Sequence, residues 1–127
     1  MNQKSRTIIG WSLTIILAIV FVGSAVMKLV GGEETAKGMA MIGISTTAQT
    51  IIGLTELVSI VLFVFPRTGL LGTLLLSAYL GGAIATHLEH QQPVIAPVVF
   101  QCILWITATI RFTELSVRLR NGSALTA

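Results

Sequence analysis

Residues 53–67 read GLTELVSIVLFVFPR, a run of mostly Leu, Val, Ile and Phe that holds one carboxylate, Glu56, and is closed by Pro66 and Arg67. A proline disfavours the helical conformation of the residue before it, so the apolar helix containing Glu56 is read as residues 47–65. At 1.5 Å per residue, a helix of that length approaches the ~30 Å of a bilayer hydrocarbon core. The decisive reading is therefore a membrane span with a charge near its midpoint.

Outward from this run the pattern repeats. On the N-terminal side, residues 7–27 carry no charged side chain, and the first span is read as 8–30. Lys4 and Arg6 ahead of it, with GSA at 23–25, resemble a signal peptide, but the apolar run exceeds a normal h-region and further spans follow. Between the first two spans, GGEETAKGMAMIGISTTAQ reads as a loop with one short interfacial helix. On the C-terminal side, only PRT separates the second span from a third at 69–88, which forces an antiparallel hairpin. After EHQQP a fourth span covers 94–112, with Pro97 in its first turn, where a missing amide donor costs little. From Arg111 the tail RFTELSVRLRNGSALTA reads as a basic, amphipathic extension with a frayed end.

Composition agrees. Of 127 residues 54% are hydrophobic and 10% charged, against roughly 25% charged in soluble domains. The expected fold is an all-α, integral membrane four-helix bundle, one domain over residues 1–127. The eight Lys and Arg residues sit at segment ends rather than in a patch, which argues against nucleic acid as a partner. Lys4, Arg6, Arg67, Arg111, Arg118 and Arg120 fall on one side of a four-span arrangement, and Lys28 and Lys37 on the other. The positive-inside rule then makes both termini cytoplasmic, in a bacterial-type inner membrane. Trp11 suits an interfacial anchor, whereas Trp105 lies deeper. Cys102 is the single cysteine, which excludes an intramolecular disulfide or CxxC pair. It is expected to be a small buried hydrophobe.

Helices in lipid need close contacts to associate, and the third span offers small residues at Gly69, Gly72, Ser77, Ala78, Gly81, Gly82 and Ala83. The Ser77/Gly81 and Ala78/Gly82 pairs are expected to pack tightly against a neighbour. Polar groups at depth are the candidates for function. Glu56 lies roughly 13 Å from either end of its span and is too short to reach water. Left charged and facing lipid it would cost at least ~2.5–3.5 kcal/mol, so it should face the interior. Gln49, Gly53, Glu56 and Ser59 share one helical stripe, and Ile51, Leu54, Val58, Val61 and Phe65 lie opposite.

Two states of Glu56 are open: a neutral carboxyl that donates to a neighbour such as Tyr79, or a carboxylate paired with Lys28 or His87. Ser24 and Lys28, one turn apart, would form the polar lip of a cavity over it. Gln101 and Trp105, also one turn apart, read as packing or an interhelical hydrogen bond. The cluster THLEH lacks the HxxxH or ExxH spacing that puts ligands on one helix face, so no metal site is expected.

Three stretches together, FVGSAVMKLVG, IGLTELVSIVLFVFPR and LGTLLLSAYLGGAIATHL, resemble the DoxX-like family of small four-helix membrane proteins. The family's Phe, small pair and Lys-Leu of the first helix match Phe21, Ser24, Ala25, Lys28 and Leu29, with Ala25 where Gly is common. Its Gly-x-x-Glu step matches Gly53 and Glu56, and its Gly-Ala-Ile-x-Thr-His close matches Gly82, Ala83, Ile84, Thr86 and His87. The resemblance covers roughly residues 8–112. It implies a link to the quinone pool and carries Lys28, Glu56 and His87 over as binding positions, with Tyr79 added by depth. No flavin, haem or iron–sulfur motif is present, so electrons for redox chemistry would come from a partner, and the expected role is an accessory subunit beside a redox enzyme or further copies of the chain. A small proton-coupled carrier titrating at Glu56, or a purely structural membrane partner, are the rival readings.

Overall fold

The computed structural model describes residues 2–120 and contains six helices in that range: α1 (Gln3–Val30), α2 (Gly32–Ala40), α3 (Thr46–Val64), α4 (Gly69–Glu89), α5 (Ile95–Arg111) and α6 (Thr113–Arg120). Their limits have local causes. The Asn2 side chain accepts from Ser5 N–H and Ser45 from Ala48 N–H, supplying the N-caps that start α1 and α3. The Asn2 cap starts α1 five residues before the expected start at 8. At its other end, α3 stops because Phe65, ahead of Pro66, is extended, with φ −76° and ψ 127°.

Helices α1, α3 and α4 are long and apolar enough to cross a membrane. Helix α5, with 17 residues, sits at the short limit of a span. The chain therefore has three to four candidate spans. The short helix expected in the first loop is α2, and the basic extension is α6, which turns 102° away from α5. The frayed end expected for 121–127 lies outside the described residues.

Neighbours pack in the cyclic order α1, α3, α4, α5 and back to α1. Each adjacent pair is antiparallel: Lys28 late in α1 meets Glu56 in α3, and Arg6 early in α1 meets Ile110 late in α5. Leu17, Phe21, Ile60, Phe63, Leu76, Leu80, Leu104 and Ala108 fill the centre. Phe21 meets Tyr79 and Phe100 edge-on, which joins three helices through one ring. Buried hydroxyls stay within their own helices: Thr14, Thr73 and Thr107 donate to the carbonyls four residues back.

Outside this centre the surface is apolar. Ile15, Ile19, Leu54, Val58, Leu74 and Ile106 all face outward. Such a surface suits lipid and not water.

The small residues behave differently from expectation along α4. A Cβ at Gly72 would overlap the backbone of Phe63, and one at Gly69 would overlap the Phe112 ring, so these two glycines do permit close packing. At Gly81 and Gly82 a Cβ would meet nothing within 4 Å. The expectation of tight packing is thus corrected at Gly81 and Gly82: Gly82, with Ala78, borders a cavity under the linker after α2, whereas Ser77 does meet a neighbour, α5. Cys102 is also corrected, since it is exposed on the outer face of α5.

Two arginines close the opposite end of the bundle. Pro66 ends α3 and leaves its last carbonyls without helical donors. Arg111 supplies donors, bonding the Phe63 and Val64 carbonyls at 2.8 and 2.9 Å. Its guanidinium also lies 4.7 Å from the Trp11 ring centroid and 4.9 Å from that of Phe112. Arg6 does the same for α5, donating to the Thr109 and Ile110 carbonyls.

Candidate functional site

Gly53 brings α3 against α1: a Cβ there would lie 3.1 Å from Lys28 Cβ and 3.3 Å from the Ala25 carbonyl. One turn on, Glu56 is fully buried and points at Lys28, whose Nζ donates to Glu56 Oε2 at 2.8 Å. The Lys28 side chain is 11% exposed and that of Glu56 1%. Ser24 Oγ accepts a second bond from Lys28 Nζ, so Ser24, Lys28 and Glu56 form one chain of contacts. The stripe continues at Gln49, whose Nε2 donates to the Lys28 carbonyl at 2.7 Å and caps the end of α1.

The site is not saturated. Glu56 Oε1 and Gln49 Oε1 are buried without a hydrogen-bond partner among the described residues. The Tyr79 hydroxyl makes no bond to Glu56 Oε1, and Lys28 Nζ lies 5.7 Å from the Tyr79 ring centroid. Of the two states left open for Glu56, the geometry is that of the cation pair.

Lys28 borders two cavities. One, of about 310 Å³, is walled by Lys28 and Ile52, by Tyr79, Gly82 and Thr86 of α4, and by Ile42 of the linker after α2. The other, of about 490 Å³, lies between α1, α2 and α3, with Glu33, Gln49 and Thr50 at its wall. The linker over the first cavity is held where Gly43, at φ 76°, takes a left-handed turn, and a Cβ there would strike the His90 ring.

Lys28, Glu56 and Tyr79 are thus brought together, and His87 is not. Its Nδ1 donates to the Ala83 carbonyl at 2.7 Å, and the residue lines neither cavity. Gln101 and Trp105 form an interhelical link away from the pair, both donating to Ser77 Oγ. Two features escaped the sequence reading: the capping role of Gln49, and the wall formed by Met39, Ile42 and Ile44. The polar stripe pointed to Gln49. Nothing local pointed to the wall, because it depends on where a linker folds.

An apolar, antiparallel helical bundle with a buried ion pair between two of its helices defines a multi-pass membrane protein. Within that class the chain belongs to the DoxX-like family, whose sequence model matches residues 12–107, including α3 and α4 in full. Comparison with curated proteins and with solved structures gives no match.

Proposed function

We propose that this protein is an accessory subunit of a bacterial-type inner membrane, with both termini cytoplasmic, and that the cavity beside Lys28 takes the head group of a quinone. The observation that carries this reading is that Lys28 and Tyr79 share the wall of the 310 Å³ cavity while Glu56 bonds Lys28 from behind. The volume falls at the lower end of the ~300–1,000 Å³ range of ligand pockets, enough for one ring with its tail leaving toward lipid.

Residue chemistry fits such a guest. A quinone offers carbonyl acceptors and exchanges electrons together with protons. Lys28 and the Tyr79 hydroxyl are donors for the carbonyl oxygens, and Glu56, with Oε1 unpartnered, holds or accepts a proton through Lys28. In this reading Lys28 takes the donor role that His87 would otherwise share. The electrons come from a redox enzyme partner.

The test is binding of a short-chain quinone analogue to purified protein in detergent. Saturable binding should weaken in Glu56→Gln and in Tyr79→Phe and survive in His87→Ala. Unchanged affinity in both of the first two variants removes the reading.

One observation favours a second reading, a proton-coupled carrier: Lys28 borders a cavity on either side. That reading requires proton-linked solute flux in proteoliposomes, lost in Glu56→Gln.

A further inference from the structure

The 102° turn between α5 and α6 leaves a two-part crevice at the end of the bundle opposite the Lys28–Glu56 pair. One part is a notch of about 250 Å³ lined by Arg6, Thr109, Ile110, Ser116 and Arg120. The other is an apolar groove of about 320 Å³ lined by Trp105, Ile106, Thr109, Ile110 and Leu119. Thr109 and Ile110 belong to both, so the cationic notch opens onto the groove. From Ile110 to Trp105 the groove runs roughly 8 Å along α5 toward the bundle centre.

The notch has cationic donors to spare. Arg6 spends Nε and Nη2 on the Ile110 and Thr109 carbonyls, and its Nη1 has no partner among the described residues. Arg120 is exposed, and Lys28–Glu56 is the single ion pair among the described residues, so no carboxylate among them neutralises either arginine. A positive notch beside an apolar groove, at a membrane boundary, matches a molecule with an anionic head and a hydrocarbon tail.

We infer that this crevice binds one anionic glycerophospholipid, its phosphate between Arg6 and Arg120 and one acyl chain against Trp105, Ile106 and Leu119. Such a lipid joins α1, α5 and α6, and it holds α6 in the plane of the interface. The site stands apart from the Lys28 cavity and does not rest on the quinone reading.

The test uses delipidated full-length protein in detergent, with lipid retention read by native mass spectrometry and stability by thermal unfolding. Phosphatidylglycerol should be retained as one copy and raise the Tm, phosphatidylcholine with the same chains should do so far less, and inorganic phosphate should not shift it. Arg120→Gln should weaken phosphatidylglycerol binding about fivefold, the effect of one cation at an anionic lipid surface. Arg118→Gln removes the same charge from a residue outside the notch and should leave binding unchanged. Arg120 is varied rather than Arg6 because Arg6 also caps α5. Equal losses in the two variants, or equal retention of phosphatidylcholine, would overturn the site in favour of diffuse surface charge. Equal stabilisation by inorganic phosphate would overturn the lipid.

Discussion

Lys28 Nζ and Glu56 Oε2 lie 2.8 Å apart and join the last turn of α1 to the middle of α3. Removing one partner leaves the other charge buried and unpaired, which costs on the order of 3–5 kcal/mol, whereas an apolar pair of similar volume does not. Glu56→Gln and Lys28→Met should each lower stability by about that amount. The double variant Lys28→Met/Glu56→Leu should lose less than either single change. Unfolding in detergent, followed by far-UV circular dichroism, checks this; simple additivity of the two losses would show that the pair is not coupled.

Arg111 holds the cut end of α3 through two carbonyls and lies over the Trp11 ring. Arg111→Lys keeps the charge but gives up the planar fork and the stacking. It should destabilise by about 2–3 kcal/mol, the scale of hydrogen bonds from a charged donor. Trp11 emission should shift at the same time, and an unaltered spectrum together with an unaltered midpoint would contradict the capping role.

Two glycine substitutions in one helix should behave oppositely. Gly72→Ala places a methyl group into the backbone of Phe63 and should cost about 1–3 kcal/mol or more through overpacking. Gly81→Ala meets nothing within 4 Å and should be neutral or stabilising by up to ~1 kcal/mol, from helix propensity. Thermal midpoints of the two variants, measured side by side, decide it.

Orientation is open to direct labelling, because Cys102 is the single cysteine and can be removed. On a Cys102→Ser background, Glu34→Cys and Gln91→Cys should react with a membrane-impermeant maleimide in intact cells. Arg67→Cys and Arg118→Cys should react only after permeabilisation. The reverse pattern would place the termini outside.

Much of the bundle is legible in the chain. Pro66 marks the end of α3 to within a residue, and the stripe Gln49, Gly53, Glu56, Ser59 is buried throughout, as its spacing requires. The same kind of reasoning failed for Gly81 and Gly82, because small-residue spacing does not say whether a neighbour is present. It also treated Arg6 and Arg111 as charges that set orientation. Their bonds to carbonyls 47 to 104 residues away leave no local trace.

What the sequence determined by itself is which segments are apolar enough to form helices in lipid and which side of α3 is polar. In lipid a backbone must satisfy its own hydrogen bonds, so apolar length and local caps suffice to specify a helix. What only the tertiary structure decided is the partner of Glu56, the cavities on either side of Lys28 and the crevice under α6. Those depend on which helices become neighbours, and that choice comes from packing and long-range polar contacts rather than from any one segment.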